Sequence, residues 1–151
     1  DSLIVAALAR RYEGELAETV NPFVPAVQKC QSKAQFISIL QSVYHDSFRP
    51  DRTVIRMTRA EVVTSAFHRE QLRSEIRAIM LKSLEPVIES LAIARERGWL
   101  RSDIDIEAFA LLNLSIISSR IFPEIQDNPD LLAKWDELAI RAVTALLSGD
   151  A

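Results

Sequence analysis

Apolar residues recur at helical spacing along nearly the whole chain, and this periodicity is the strongest constraint on its fold. Within residues 3–12, 36–44 and 72–91 they repeat at intervals of three and four, which places them on one face of a helix. No stretch alternates apolar and polar residues for long enough to predict a strand. The pattern therefore predicts an all-α fold of about six helices.

Capping residues and prolines divide this pattern at defined points. Ser32, Asp105 and the turn Asp127-Asn128 before Pro129 are the predicted N-terminal caps. Gly98 is expected to end the long fourth helix, because glycine readily adopts the left-handed conformation that closes a helix. Pro22 and Pro25 are expected to interrupt the chain between the first two helices, and Pro86 to kink the fourth. The predicted helices after the first cover residues 33–49, 50–66, 68–97, 106–122 and 129–148, with Gly149 after the last.

Composition and charge narrow the class of protein. The chain has 151 residues, which predicts a single domain over 1–151, and its one cysteine excludes an internal disulfide. We find no signal peptide and no apolar run near the ~20 residues of a membrane span, so a cytoplasmic protein without a membrane partner is expected. Residues 49–101 carry 11 basic and 7 acidic side chains, whereas 102–151 carry 3 and 9. The net charge of −3 argues against nucleic-acid binding by this chain alone.

Two helices near the C-terminus carry more apolar surface than a small monomer needs. Eleven of the 17 residues in 106–122 are apolar, and the final helix has two adjacent apolar stripes. Such helices can pair across a two-fold axis as a four-helix bundle, which predicts a homodimer. The alternative is that both helices complete a monomeric core. The expected interface residues are Leu112, Ser119, Trp135, Leu138, Ala139, Ala142, Val143 and Leu146.

The sequence RGWLRSDID at 97–105, followed by the apolar helix from Ile106, resembles the regulatory half of tetracycline-repressor-like (TetR family) transcription factors. The opening DSLI at 1–4 is similar to the helix that follows their DNA-binding domain, and the resemblance covers essentially the whole chain. One departure is Ile106, where the family often has proline. The resemblance implies an effector-sensing and dimerisation domain. It also implies that a helix-turn-helix DNA-binding domain precedes Asp1 and is absent from this chain.

The resemblance further implies a pocket for a small, mostly apolar effector between converging helices, with no cofactor. Tyr44, His45 and Asn113 are the candidate polar anchors, although each pocket residue taken singly could equally belong to the core. The alternative function is a helical dimerisation or adaptor module without a small-molecule ligand. The candidate ligand-binding residues are Phe36, Leu40, Val43, Tyr44, Met57, Phe67, Met80, Leu84, Phe109, Asn113 and Ile116.

The remaining polar features do not predict an enzyme. His45 and His68 are the only histidines, and no metal-ligand motif, phosphate-binding loop or nucleophile elbow occurs. Cys30 is expected to be an unreactive thiol near a helix start, although its neighbour Lys29 leaves a redox role open.

Three arginines share one face of the predicted helix 50–66, at Arg52, Arg56 and Arg59, and no acid lies three or four residues away on that helix. One interpretation is functional: they face DNA or the absent domain, or they bind an anionic effector. The other is structural: they form a solvated face, or they pair with acids elsewhere, such as those near the C-terminus.

Overall fold

Helices make up most of residues 2–147, which are the residues that this computed structural model describes. Six helices have 14 residues or more, and no strand occurs within the described part, so the prediction of an all-α fold with about six helices is confirmed. The predicted end of the last helix at Ser148 and Gly149 lies outside the described residues. The elements are α1 Ser2–Val20, α2 Phe23–Gln28, α3 Lys33–Ser47, a 3-10 turn Pro50–Arg52, α4 Thr53–Ala66, α5 Glu70–Glu96, α6 Ile106–Ser119, α7 Ile121–Glu124 and α8 Pro129–Leu147.

Three of the predicted caps make the expected hydrogen bonds. The Ser32 hydroxyl accepts from the backbone N–H of Gln35 at 3.2 Å and starts α3. The Asp105 carboxylate accepts from Ala108 N–H at 2.8 Å and starts α6. The side-chain oxygen of Asn128 accepts from the N–H of Leu131 at 3.1 Å, directly before the proline that begins α8. Each cap satisfies a backbone donor that has no partner inside its helix.

Gly98 ends α5 in the left-handed conformation, with φ of +74°. Its N–H donates to the carbonyl of Arg95 at 3.0 Å, and the N–H of Trp99 donates to the carbonyl of Ala94 at 2.9 Å. This pair of bonds is the Schellman arrangement, which satisfies the last carbonyls of a helix. The predicted helix end at Gly98 is thus confirmed.

Replacing Gly98 with alanine is expected to lower the free energy of unfolding by about 1–2 kcal/mol. No heavy atom lies within 4 Å of a Cβ built at this position, so the cost comes from the left-handed backbone and not from a clash. Urea unfolding of the two proteins measures the difference. Alanine at Gly14 is the matched control, because Gly14 lies inside α1 with equally open space. That control is expected to be neutral or stabilising, since alanine is the better helix former.

The predicted interruption at Pro22 is confirmed, because α1 ends at Val20 and a new helix begins at Phe23, but this new helix, the short α2, was not predicted. Pro22 is the N-cap of α2 and Pro25 lies in its first turn. Proline is tolerated there because the N–H it lacks would have no partner in the helix. The helix predicted over 106–122 ends instead at Ser119, and α7 follows after Arg120. α5 continues through Pro86 as one helix of 27 residues, in agreement with the helix predicted over 68–97, and the kink at Pro86 stays a prediction.

The core consists of two clusters joined by α5. One cluster packs α1 against α4 and the first half of α5, around Tyr12, Leu16 and Leu72. The larger cluster packs α2, α3, α6 and α8 against the second half of α5, with Phe36 and Leu91 among its buried residues. α5 is therefore the central helix on which the others are assembled.

The segment Ile106–Glu124 meets the length and composition of a membrane span, with 19 residues and a mean hydropathy of 1.3. The expectation that no apolar run approaches the length of a membrane span is therefore wrong for this segment. One third of its most apolar 18-residue window is buried inside the protein. Arg120 within it is buried and ion-paired with Glu124 and Asp136. One such segment is weak evidence for a membrane location.

Candidate functional site

A small apolar cavity of about 60 Å³ lies where α3, α5 and α6 meet the end of α1. Six of the eleven predicted ligand-binding residues line it, because the apolar faces of three helices converge there. They are Leu40, Val43, Tyr44, Leu84, Phe109 and Asn113. The other lining residues are Thr19, Val20, Phe23, Val87, Leu91, Ala110, Leu114 and Ile117.

Tyr44 and Asn113 form the polar element of this cavity. The Tyr44 hydroxyl donates to the side-chain oxygen of Asn113 at 2.6 Å, and the Asn113 amide donates to the carbonyl of Phe109 at 2.7 Å. Burial raises the pKa of the Tyr44 phenol well above its usual range, so the hydroxyl remains a proton donor at neutral pH. The pair connects α3 to α6 across an otherwise apolar wall. His45, the third proposed anchor, is exposed at the end of α3 and does not line the cavity.

The other five predicted ligand-binding residues lie elsewhere. Phe36 is fully buried and its ring stacks on Trp99 with 6.1 Å between centroids, while Ile116 packs against the same core cluster. Met80 lines a groove of about 330 Å³ between α4, α5 and α6, together with Phe67, and Leu84 reaches both this groove and the cavity.

Met57 and Phe67 are not internal residues in this structure, because 58% and 72% of their surfaces are exposed. Their part in ligand binding stays a prediction, and neither lines the cavity at Tyr44 and Asn113. The inward face of α4 is occupied by arginines, of which Arg56 and Arg59 are 1% and 2% exposed. Met57 is exposed although its neighbours Arg56 and Thr58 are both buried.

The arginine face of α4 is buried and not solvated. Arg56 forms an ion pair with Glu124 of α7, as the alternative of pairing with acids toward the C-terminus predicted, and donates to the carbonyl of Ser47. Glu124 also accepts from Arg120, and Arg120 makes two hydrogen bonds to Asp136 of α8 at 2.7 and 2.8 Å. Burial alone would lower the pKa of Arg120, but hydrogen bonds and charges from Asp136 and Glu124 raise it. This network joins α4, α7 and α8.

Arg59 and Arg52 have different environments. Arg59 donates from Nη2 to the carbonyl of Glu15 and to the Thr19 hydroxyl, each at 3.0 Å. Its Nε and Nη1 have no hydrogen-bond partner, and burial lowers the pKa of its guanidinium. Arg52 is half-buried and ion-paired with Glu18 and Asp46. All three arginines line a second cavity, of about 290 Å³, between α1, α3, α4 and α6.

The predicted interface residues divide between the surface and the core. Leu112, Leu138, Ala142 and Leu146 are exposed, and Ser119 and Trp135 are half-buried. Val143 and Ala139 are buried in the protein's own core, so they have almost no surface to contribute to an interface. Both lie on the inward face of α8, whereas the exposed leucines occupy its outward face.

Cys30 is buried beside α2, and its thiol lies 3.6 Å from the carbonyl of Ala26 as a weak hydrogen-bond donor. Burial raises the pKa of this thiol, and the charge of Arg97 offsets only part of the effect. Thiol reactivity depends on the thiolate, so this environment opposes a redox role. Among the residues described, no group of three or more His, Cys, Asp or Glu side chains could hold a metal ion.

No protein-family model, curated protein or solved structure matches this chain. The resemblance to TetR-type regulators therefore stays a prediction, and the cavities and exposed faces carry the functional argument.

Proposed function

We propose that this chain is the effector-sensing and dimerisation domain of a transcriptional regulator of the TetR type. In this proposal a small molecule binds within each subunit and alters DNA binding by a separate helix-turn-helix domain of the parent protein. The observation that carries the proposal is the two-sided character of α6. Phe109, Asn113 and Ile117 line the internal cavity, while Leu111 and Leu112 of the same helix are exposed.

A small molecule bound in the cavity would affect the rest of the protein by changing the position of α6. The cavity holds only about 60 Å³, so a molecule larger than a few water molecules is expected to displace the helices around it, α3 and α6 among them. Such a movement changes the Tyr44–Asn113 hydrogen bond, which connects these two helices. The same movement displaces the exposed leucines on α6. The guest can shift the equilibrium only as far as its affinities for the two arrangements differ.

The dimer part of the proposal uses the outward faces of α6 and α8. On α8, Leu131, Leu138 and Leu146 are exposed at helical spacing, and Leu111 and Leu112 are exposed on α6. Exposed apolar patches of this kind typically mark interaction sites. In a two-fold dimer each helix pair meets its own copy, which gives the four-helix bundle expected from the sequence.

The second candidate is a helical dimerisation or adaptor module that has no small-molecule ligand. The small volume of the cavity favours it, because sites for drug-sized ligands usually hold about 300–1,000 Å³. Both candidates share the exposed faces of α6 and α8 and differ only in whether a guest binds inside.

Sedimentation velocity over a range of concentrations tests the shared dimer. We expect a dimer whose dissociation constant rises at least about tenfold with Leu138→Glu or Leu112→Glu, because each places a charge in an apolar contact. Val54→Glu is the matched control, since Val54 is equally exposed but lies on α4. A natural chain that stays monomeric at every concentration would contradict both candidates.

Thermal unfolding with neutral apolar molecules then separates the two candidates. Toluene, indole and octanol at millimolar concentration are suitable probes, because they bring no charge to the cavity. A rise in Tm that depends on concentration supports the sensor, since a guest that binds only the folded state stabilises it. An intact dimer with no stabilisation by any of them favours the adaptor.

A further inference from the structure

Arg59 is a buried cation without an acidic partner. Among the described side chains, no carboxylate oxygen lies within ion-pair distance of it, and its bonds go only to a carbonyl and a hydroxyl. The carboxylate of Glu15 offsets part of the positive charge of Arg59 from a distance, but its ion pair is with Arg11, at 3.1 Å. Burying an uncompensated charge is costly, so an arginine in this state favours the arrival of an anion.

The cavity of about 290 Å³ beside Arg59 is large enough for a small organic molecule. One wall carries Arg52, Arg56 and Arg59, and the facing walls are largely apolar. Glu18 and Asp46 also line the cavity, but both are exposed and ion-paired with Arg52. Arg56 is paired with Glu124. The charge left without a partner is therefore the single positive charge of Arg59.

This cavity adjoins the apolar cavity at Tyr44 and Asn113. Thr19, Val43 and Ile117 line both of them, so these three side chains form part of the wall between the two spaces. One end of the combined space offers a guanidinium and the other end offers an apolar wall. A guest with an anionic head and an apolar chain matches this polarity.

We propose that the Arg59 cavity binds an organic monoanion, whose apolar chain is directed past Val43 and Ile117 and whose carboxylate reaches the guanidinium of Arg59 through a shift of the side chains that now cover it. The planar guanidinium suits a carboxylate because two of its N–H groups can bind both oxygens at once. The inference rests on the proposed sensing function and deepens it by naming the chemical class of the effector. The effector is then amphipathic, and not simply apolar as expected from the sequence.

Isothermal titration of the full chain with three probes of equal length tests this proposal. Octanoate is expected to bind at least about tenfold more tightly than octanol, and octylamine more weakly than both. Acetate, which has the same head without the chain, is expected to bind at least about tenfold more weakly than octanoate. If octanol binds as well as octanoate, the anionic head is wrong while apolar sensing survives. If no probe binds, this proposal is overturned together with the sensor, and the adaptor remains.

Substitution of Arg59 locates the site. Arg59→Met is expected to reduce octanoate affinity at least about tenfold and to leave octanol affinity unchanged. The variant is expected to fold, because methionine retains much of the volume and removes unpaired buried donors. Arg59→Lys keeps the positive charge but not the planar pair of N–H donors, and it is expected to bind octanoate with intermediate affinity. Arg101→Gln is the matched control, since Arg101 is ion-paired with Asp103 and neither side chain lines the cavity. Equal octanoate affinity in the natural chain and Arg59→Met would overturn the proposal.

Discussion

Replacing Glu124 with alanine is expected to lower the free energy of unfolding by about 3–5 kcal/mol, the usual cost of breaking a buried ion pair by removing one partner. The Glu124 carboxylate is largely buried and accepts hydrogen bonds from Arg56 and Arg120 and, at 3.3 Å, from Thr53. Without it, Arg120 keeps Asp136, but Arg56 loses its only ion pair within the described part of the chain. The remaining partners of Arg56 are neutral, so a buried positive charge is left uncompensated.

Urea unfolding of the natural chain and the variant measures this effect. Glu70→Ala is the matched control, because Glu70 pairs with Arg73 at the surface and is expected to change stability by less than about 1 kcal/mol. Glu124→Gln separates the charge from the hydrogen bonds, since glutamine keeps an acceptor and the shape of the side chain. A loss below about 1 kcal/mol in Glu124→Ala would contradict the buried network. It would indicate that Arg56 reaches solvent in the folded protein.

The helical architecture was accessible from the sequence because its signals are local. The N-terminal caps at Ser32 and Asp105 satisfy donors only three residues away. The hydrogen bonds that end α5 at Gly98 join residues no more than five positions apart. Interactions of this range depend on the residue types nearby and not on the packing of distant helices. The exception is the short helix α2, because the prolines at its start predict the break after α1 but not the helix that follows.

The burial of the α4 arginines could not be predicted from local signals in the sequence. Arg56 is neutralised by Glu124, 68 positions further along the chain, and Arg59 binds the backbone of Glu15, 44 positions earlier. Periodicity favours apolar residues inside and charged residues outside, whereas on α4 Arg56 and Arg59 are buried and Met57 is exposed. The spacing of three arginines without local acids was the one available signal. Arginines without acids on their own helix must contact either solvent or partners elsewhere in the fold. For Arg56 and Arg52 these partners are carboxylates on other elements.

The candidate cavity was predicted in part. Leu40, Tyr44 and Phe109 meet because the inward faces of amphipathic helices converge on one core, and periodicity identifies those faces. The neighbouring cavity at Arg59 was not predicted as a space, because cavities arise from mismatches between packed side chains. No pattern along a single helix contains that information.

Replacing Phe109 with alanine is expected to lower the free energy of unfolding by about 3–5 kcal/mol and to enlarge the cavity between α3 and α6. Phe109 is buried on α6 and lines the existing cavity of about 60 Å³. Removal of the ring leaves a space that the surrounding helices fill only in part. The bond between Asn113 and the carbonyl of Phe109 involves the backbone and is expected to survive. Denaturant unfolding measures the loss, and Phe122→Ala, at an exposed position of α7, is expected to change stability by less than about 0.5 kcal/mol.

The enlarged cavity is then expected to accept an apolar guest. An apolar space of this kind stays dry and can bind a small aromatic molecule, so saturating toluene is expected to raise the Tm of Phe109→Ala more than that of the natural chain. If toluene also strengthens or weakens the dimer of the variant, the internal site and the exposed face of α6 are coupled, as the sensing proposal requires. If Phe109→Ala binds toluene and its dimerisation is unchanged, occupancy and assembly are independent. That result would favour the adaptor, because a sensor must transmit the difference between its empty and its filled state.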